Sequence, residues 1–164
     1  MTAMIRAAAD DDAAAIAAIY NHYVLHTIVT FEEEAVPAEE MRARVRETQA
    51  AGLPFLVAAL DGDVRGFAYA SAWKGRCAYR FSREVTVYVR HGDAGHGLGS
   101  ALYASMIPRL QQLGLHALLG GIALPNEASV ALHEKFAFTK TAHLREVGWK
   151  FNRWIDVGYW QRLL

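Results

Sequence analysis

Hydrophobic residues recur along the chain in two patterns, one typical of β-strands and the other of amphipathic helices. Strands are predicted where short apolar or β-branched runs lie between turn residues, at residues 5–7, 55–60, 64–73, 84–89, 115–122, 139–145 and 155–161. Helices are predicted where apolar residues recur every three or four positions, and they begin near Asp10 or Asp11, at Pro37, at Leu98 and at Asn126. The order β-α-α-β-β-β-α-β-α-β-β gives a mixed sheet with helices on its faces, rather than a uniform βαβ alternation.

Residues at the element boundaries support these predictions. The side chain of Asp10 or Asp11 is expected to cap the first helix, because a carboxylate accepts hydrogen bonds from the free N–H groups of a first turn. Residues 61–63 predict a tight turn, which makes a β-hairpin of the strands on either side. Loops are predicted at residues 27–31 and 74–82. The three later helices are expected to end at Gly52, Gly114 and Phe136.

The overall composition predicts one folded domain over residues 1–164. Hydrophobic residues make up 53% and charged residues 21%, which excludes disorder for most of the chain. The 17 basic and 17 acidic side chains give a formal net charge of +0, so no overall field attracts nucleic acid or an anionic membrane. Neither kind of partner is therefore expected.

Two further features bear on location and on metals. Asp10, Asp11 and Asp12 interrupt the Ala-rich N-terminus where an export signal would be apolar. No apolar stretch is long enough to span a membrane, so a cytoplasmic protein is expected.

Cys77 is the only cysteine and cannot form an internal disulfide. Neither this thiol nor the histidines show the spacing of a metal site, and no metal is expected.

A glycine-rich turn between a predicted strand and a predicted helix is the strongest local signal. It reads GHGLGS at residues 95–100. Glycines let the backbone approach a ligand closely, and a helix start offers free N–H groups, so the turn predicts a phosphate or pyrophosphate site. A P-loop is disfavoured because no lysine precedes Ser100, and a dinucleotide-binding fold because strand 115–122 leads to Asn126 rather than to an acidic residue. A tight turn with no ligand remains open.

Residues 87–89 of the preceding strand and residues 95–99 of the turn resemble the acetyl-CoA motif of the GNAT superfamily of N-acetyltransferases. The resemblance implies an α/β (α+β) fold, with a mixed, mainly antiparallel central sheet flanked by helices on both faces. Acetyl-CoA would lie in the cleft between the central strands, its pyrophosphate on the turn and its pantetheine arm beside the preceding strand. The implied cofactor-binding residues are Val87, Tyr88, Val89, Gly95, His96, Gly97, Leu98, Gly99, Ser100 and Asn126. The chain departs from the family at Ala94, where Arg or Gln is usual.

A closer resemblance, to phosphinothricin N-acetyltransferases, extends over most of the chain. It is carried by motifs that keep their order, namely IYNHY at 19–23, TF at 30–31, WKGRCAY at 73–79, EVTVYV at 84–89, GLGSALY at 97–103, LPN at 124–126, SV at 129–130, HE at 133–134 and WIDVG at 154–158. It implies acetylation of a small amino acid such as phosphinothricin, methionine sulfoximine or methionine sulfone, by a homodimer. The chain departs at Ala137, where relatives usually have Gly; a left-handed backbone would cost Ala about 1 kcal/mol there.

The resemblance also implies two catalytic residues. Acetyl transfer to an amine requires that the ammonium lose a proton and that the developing oxyanion receive hydrogen bonds. Glu84 matches the family's catalytic glutamate, a general base, although its own pattern also fits an edge-strand residue facing solvent. His133 is implied as an acid or relay, with a buried histidine bonded to a backbone carbonyl as the alternative. A backbone N–H of residues 87–89 is expected to bind the oxyanion.

The acceptor amino acid carries a carboxylate and a second polar group, which call for cationic and hydroxyl donors. The candidate substrate-binding residues are Phe31, Tyr69, Lys74, Gly75, Arg76, Tyr79, Val85 and Thr86. Lys74 and Arg76 could instead belong to a solvated loop, and Phe31 and Tyr69 could be core residues.

Two other functions remain open on the sequence. One is a GNAT-like module that binds coenzyme A without turnover, against which the presence of both Glu84 and His133 argues. The other is an acetyltransferase for protein N-termini or polyamines. Polyamine recognition would require an acidic pocket, whereas the loop before Glu84 is basic.

Overall fold

The computed structural model describes residues 2–164, and within them seven strands and four helices follow the predicted order. The strands are β1 (Met4–Ala7), β2 (Phe55–Leu60), β3 (Asp63–Ala72), β4 (Ser82–Val89), β5 (Ala117–Ala123), β6 (Thr139–Lys150) and β7 (Arg153–Leu163). The helices are α1 (Ala13–His26), α2 (Ala38–Ala50), α3 (Leu98–Gln112) and α4 (Glu127–Lys135). Short 3-10 turns lie at Asp10–Asp12 and Cys77–Tyr79. None of the helices in residues 2–164 is both long and apolar enough to cross a membrane.

All the strands described form one sheet in the order β1-β2-β3-β4-β5-β7-β6. Every neighbouring pair is antiparallel except β4 and β5, which run parallel. These two central strands pair only over Ser82–Glu84 and Ala117–Leu119, so they diverge beyond Glu84. The divergence opens a cleft in the middle of the sheet and leaves one edge of β4 without a strand partner.

Helices cover both faces of the sheet, and each face has its own hydrophobic core. On one face, α1 and α2 bury Ile16, Val24 and Val45 against Val57 and Phe67. On the other face, α3 packs against β2, β3 and β4, and the large buried side chains of the core there are Leu102, Tyr103, Met106, Leu110, Leu118, Phe138 and Trp160. Successive residues of a strand point to opposite faces, so β2 and β3 supply both cores. The mixed, mainly antiparallel sheet with helices on both faces is confirmed.

The expectation that Asp10 or Asp11 caps the first helix is wrong. The aspartates form the 3-10 turn before α1, and neither Asp10 nor Asp11 accepts from a backbone N–H of its first turn, although Asp12 accepts from the backbone N–H of Ala9 at 2.8 Å. Asp10 instead accepts from Arg46 Nε of α2 at 2.9 Å, and Asp12 accepts from Arg6 of β1 at 2.8 Å. An ionic partner elsewhere in the fold competes with the local cap, and a capping rule based on adjacent residues does not include it.

β6 and β7 extend beyond the predicted strands and form a long hairpin at one edge of the sheet. The hairpin turns at Phe151 and Asn152, whose φ angles are 51° and 56°. Glycine usually supplies these left-handed conformations in a two-residue hairpin turn, and this turn contains none. For this reason the sequence predicts strands that end at residue 145 and begin again at 155.

Ala137 adopts the left-handed conformation, with a φ of 64°. The departure from glycine at this position therefore carries the expected conformational cost, about 1 kcal/mol.

Candidate active site

The cleft between β4 and β5 holds two adjoining cavities. The first, here called the inner cavity, has a volume of about 250 Å³ and is lined by Glu84 and His133. The second, here called the outer cavity, has a volume of about 540 Å³ and reaches the start of α3. Val87, Tyr88 and Ser129 are among the residues that line both. A single molecule, or two that react together, can therefore extend from one cavity into the other.

The glycine turn forms one end of the outer cavity. Gly95 and Gly97 have φ angles of 82° and 80°, and a Cβ at either position would meet no atom within 4 Å. Glycine is therefore favoured by the backbone conformation rather than by crowding. Leu98, Gly99 and Ser100 begin α3 and also line the cavity. The free N–H groups of this first turn lie beside the cavity and suit an anion.

The outer cavity brings together most of the predicted cofactor-binding residues. Those that line it are Val87, Tyr88, Val89, Gly95, Gly97, Leu98, Gly99, Ser100 and Asn126. The side chain of Asn126 accepts from the backbone N–H of Ser129 at 3.2 Å, which confirms the predicted cap of α4. His96 lies apart from this cavity: its Nδ1 is 3.1 Å from the carbonyl oxygen of Asp93, and it lines a neighbouring groove. Its part in cofactor binding stays a prediction.

Lys135 adds a positive charge to the outer cavity. It is the last residue of α4, and its Nζ donates a hydrogen bond to Ser100 Oγ at 3.0 Å, beside the start of α3. Ala94 also lines this cavity and supplies no charge. No sequence pattern marks this lysine, because a cation in the last turn of a helix is ordinarily explained by the helix dipole.

Glu84 lies where β4 leaves β5, and it borders the inner cavity. Its Oε1 lies beside Gly121 of β5, at 3.2 Å from the place that a Cβ would occupy there. Burial raises the pKa of Glu84, and the positive charge of Lys74 opposes this shift to a smaller extent. A carboxylate with a raised pKa takes up a proton more readily than one in water, which suits a general base acting near neutral pH.

The hydrogen bonds of His133 fix its tautomer. Nδ1 lies 2.7 Å from the carbonyl oxygen of Ser129, and Nε2 lies 2.9 Å from Tyr103 Oη. A carbonyl oxygen can only accept, so Nδ1 carries the proton and Nε2 of the neutral ring accepts from the tyrosine hydroxyl. His133 is only 3% exposed, and burial lowers its pKa, which favours this neutral form. His133 therefore borders the cavity and is also bonded to a backbone carbonyl.

Four tyrosines line the inner cavity. The tyrosines are Tyr20, Tyr69, Tyr88 and Tyr103. Burial raises the pKa of each, so the hydroxyls stay protonated at neutral pH and can donate hydrogen bonds. Within residues 2–164, no lysine or arginine lines this cavity. A cation for an acidic ligand would have to come from its rim.

The predicted substrate-binding residues divide into two groups. Those that line the inner cavity are Phe31, Tyr69, Val85 and Thr86. Those that lie in the exposed loop before β4 and outside the cavity lining are Lys74, Gly75, Arg76 and Tyr79. Lys74 still acts on Glu84 through its charge. The binding role of the loop stays a prediction.

Other residues of the inner cavity are not among the site residues inferred from the sequence. Four of them, Tyr20, Thr30, Tyr103 and Ser129, lie within the family motifs, whereas Val29, Gly121, Ile122 and Ala123 lie in none. The same part of the chain, residues 2–164, contains no group of three or more His, Cys, Asp or Glu side chains that could hold a metal ion.

Comparison with known proteins decides the family. Residues 5–158 match the family described as "Acetyltransferase (GNAT) domain". The chain belongs to the GNAT acetyltransferase family. The GNAT fold and an acetyltransferase, both implied by the sequence motifs, are confirmed at this level.

Two GNAT relatives match the chain over nearly its whole length. Identity is 40% over 158 residues with the phosphinothricin N-acetyltransferase of Streptomyces viridochromogenes, covering 96% of this chain and 86% of that protein. It is 38% over 157 residues with the L-methionine sulfoximine/L-methionine sulfone acetyltransferase of Salmonella typhimurium, covering 96% and 92%. The solved GNAT phosphinothricin acetyltransferase of Sinorhizobium meliloti, in complex with acetyl-CoA, is 35% identical and superposes with a TM-score of 0.96, covering 100% of this chain and 89% of that one.

Proposed function

We propose that this GNAT protein transfers the acetyl group of acetyl-CoA to the α-amino group of a small amino acid such as phosphinothricin. Methionine sulfoximine and methionine sulfone are acceptors of the same size and polarity. The observation that carries the proposal is the continuous cleft, with Glu84 in its inner cavity and the glycine turn at the end of its outer cavity. The names of the relatives support the acceptor class.

The outer cavity fits the coenzyme A part of acetyl-CoA. Its left-handed glycines and the start of α3 offer backbone N–H groups to the pyrophosphate, and Lys135 adds a positive charge beside them. The edge of β4 that faces away from β3 has no strand partner beyond Glu84, so its N–H and C=O groups can bind an extended amide chain, except for the Val89 carbonyl oxygen, which accepts from the Tyr23 hydroxyl. When bound, acetyl-CoA supplies the activated acetyl group.

Glu84 acts as the general base. The acceptor enters as an ammonium, which has no lone pair, and the carboxylate takes one of its protons as the nitrogen attacks the thioester carbonyl carbon. The C–S bond then breaks, the sulfur leaves with its electron pair, and the second proton that the nitrogen must lose passes through solvent to the thiolate, which gives the amide and the free thiol. A backbone N–H of residues 87–89, on the open edge of β4, donates to the carbonyl oxygen while that oxygen carries negative charge.

His133 acts as a positioning residue in this scheme. Its neutral ring holds the hydroxyl of Tyr103 at 2.9 Å, at the wall of the inner cavity. To act as an acid, the ring would first have to take up a second proton, which its burial disfavours. A proton moved from Tyr103 to Nε2 would create the same charged ring, so the pair is assigned to holding the cavity wall in place.

The acceptor binds in the inner cavity with its polar groups in two environments. Hydroxyls of the cavity wall, including those of Thr30 and Thr86, face one end of the molecule. The carboxylate is bound at the rim by Lys74 and Arg76, because the described lining of the cavity supplies no cation. Phosphinothricin carries two anionic groups, one of which would bind to the hydroxyls of the cavity wall and the other to the cations at the rim.

The protein is further proposed to act as a cytoplasmic homodimer with one domain over residues 1–164. Large apolar side chains on the β6–β7 hairpin support an interface there: Val147, Trp149 and Trp154 are 57%, 52% and 60% exposed. Sedimentation of the purified protein tests the dimer.

Release of free thiol from acetyl-CoA tests the proposed activity. The panel contains phosphinothricin, methionine sulfoximine, methionine sulfone, glutamate and spermidine. Acetylation of one or more of the first three, with none of spermidine, is the expected result. Tight binding of acetyl-CoA with no turnover of any acceptor would instead identify a coenzyme A-binding module. Spermidine as the best acceptor would contradict the proposed substrate class.

A further inference from the structure

The segment at residues 27–36 joins α1 to α2 without helix or strand, yet it supplies Thr30 and Phe31 to the inner cavity. Such a segment needs contacts from other elements to hold its backbone in one place. At its far end, the side chain of Asn21 in α1 makes two hydrogen bonds, of 2.9 and 2.7 Å, with the backbone of Val36. In the middle of the segment, Thr30 Oγ1 lies 2.8 Å from the Tyr20 hydroxyl and Glu32 accepts two hydrogen bonds from Arg44, so only side chains are held from α1 and α2. The backbone there is bonded from β6.

Lys150 of β6 is a buried ammonium whose bond is to this segment. The residue is 2% exposed, and Nζ donates to the backbone carbonyl oxygen of Thr30 at 2.8 Å. Nζ also lies 5.2 Å from the centre of the Phe151 ring. Burial lowers the pKa of Lys150, and the charge of Glu33 opposes this shift to a smaller extent. Lysine is almost never fully buried unless it is paired, so this contact has a specific role to explain.

Gly148 contacts the same segment from the same strand face. A Cβ at this position would lie 2.3 Å from Cζ of Phe31, so the phenyl ring lies directly against the backbone of β6. Residues two positions apart on a strand point to one face, and Lys150 follows Gly148 at that interval. β6 therefore supports two consecutive residues of the cavity wall, one through a carbonyl and the other through a ring.

We propose that Lys150 is a positioning residue for acceptor binding and that Gly148 sets acceptor selectivity through the position of the Phe31 ring. The inference rests on the proposed function, because it takes the inner cavity as the acceptor site. Neither residue lines the inner or the outer cavity, so both act through the segment and leave the acetyl-CoA site unchanged.

Lys150→Met removes the ammonium and keeps most of the side-chain length. The KM for the acceptor is expected to rise on the order of tenfold, because a charged hydrogen bond is lost, while the KM for acetyl-CoA stays within about twofold. Lys150→Arg should recover part of the loss. The matched control is Lys140→Met, on the same strand but exposed, and it should leave both constants unchanged. An unchanged acceptor KM in Lys150→Met, or an equal rise in both constants, overturns the inference.

Gly148→Ala tests the second contact and serves if Lys150→Met fails to fold. The added methyl must displace the Phe31 ring, so the ratio of kcat/KM between phosphinothricin and methionine sulfone should change, with the acetyl-CoA KM preserved. An unchanged ratio contradicts the role given to Gly148.

Amide hydrogen exchange separates this inference from the proposed function. Exchange at residues 27–36 should be faster in Lys150→Met than in the parent or in Lys140→Met, whether or not the parent acetylates an amino acid. If the parent acetylates no amino acid and exchange is still faster in Lys150→Met, the proposed function is rejected and the positioning role of Lys150 is retained. Unchanged exchange at residues 27–36 in Lys150→Met would reject the positioning role of Lys150.

Discussion

Replacing Gly97 with Asp places a carboxylate where the pyrophosphate of acetyl-CoA is proposed to bind. Gly97 immediately precedes α3, lines the outer cavity and has a φ of 80°. A Cβ there would meet no atom within 4 Å, so the new side chain has room and does not disturb a packed neighbour. The effect on affinity should therefore come from charge.

Two free energies are involved, and they act on different equilibria. A left-handed φ costs a residue with a Cβ roughly 1–2 kcal/mol, and this strain lowers the free energy of unfolding. A carboxylate about 5 Å from a doubly charged pyrophosphate in water is repelled by roughly 1.7 kcal/mol, which weakens binding more than tenfold. The first cost affects folding, and the second affects acetyl-CoA binding.

Gly97→Asn separates the two, because asparagine has nearly the shape of aspartate, tolerates the left-handed region and carries no charge. Calorimetric titration of acetyl-CoA into the three proteins at low ionic strength measures the difference. The Asp variant is expected to bind more than tenfold more weakly than the Asn variant. Added salt should reduce this difference in affinity between the two variants, since exposed charges are screened.

Equal affinities of the Asp and Asn variants would refute the reasoning. They would mean that no anion of the cofactor lies near the glycine turn, even if both variants bound more weakly than the parent. A gap that does not respond to salt would contradict the electrostatic origin of the effect.

Arg76→Ala should raise the acceptor KM on the order of tenfold and leave the acetyl-CoA KM within about twofold, because a hydrogen bond to a charged group contributes about 1.5–3 kcal/mol. Steady-state kinetics with each substrate varied checks this, and parallel rises would mark Arg76 as structural. Glu84→Gln should melt at a higher temperature than the parent at about pH 8, because burial raises the pKa of Glu84 and the ionised carboxyl therefore destabilises the folded state above that pKa. The difference should vanish below about pH 4, where the carboxyl is protonated in both states, and equal melting temperatures at both pH values would contradict it.

The order of the elements and the outer cavity could be predicted from the sequence because their signals are local. The apolar run of residues 55–60, the strand predicted at 64–73 and the turn between them predict a hairpin, and β2 and β3 form one. The glycines of residues 95–99 follow a strand and precede a helix, and this context alone indicates an anion site. The resemblance of these residues to the acetyl-CoA motif then indicates that the anion is a pyrophosphate.

The hydrogen bonds that hold the wall of the inner cavity could not be predicted, because they join residues far apart in the chain. Tyr103 and His133 are thirty positions apart, and Lys150 and Thr30 are 120 apart. A single sequence has no pattern that records such pairs. Local rules failed for the same reason at Asp10, where Arg46 takes the carboxylate that was expected to cap α1.

The position of the loop before β4 shows a second limit of sequence reasoning. The family motif at residues 73–79 predicts side chains that bind the substrate, but it does not indicate where these side chains lie relative to the cavity. In the chain, Lys74 and Arg76 are exposed and lie outside the lining of the inner cavity. Their contribution depends on the loop, whose short 3-10 turn at Cys77–Tyr79 is its only regular element among the described residues.

Turnover of Glu84→Gln between about pH 6 and pH 9 tests the central claim most directly. Glutamine keeps the shape of the side chain but cannot accept the acceptor's proton, so turnover should fall about 10²–10⁴-fold while acetyl-CoA binding is retained. In the parent, turnover should fall as the pH drops through the raised pKa of Glu84, and this acidic limb should be absent from the variant. A variant that stays within about threefold of parental turnover at every pH would contradict the account and show that another base, or solvent, removes the proton.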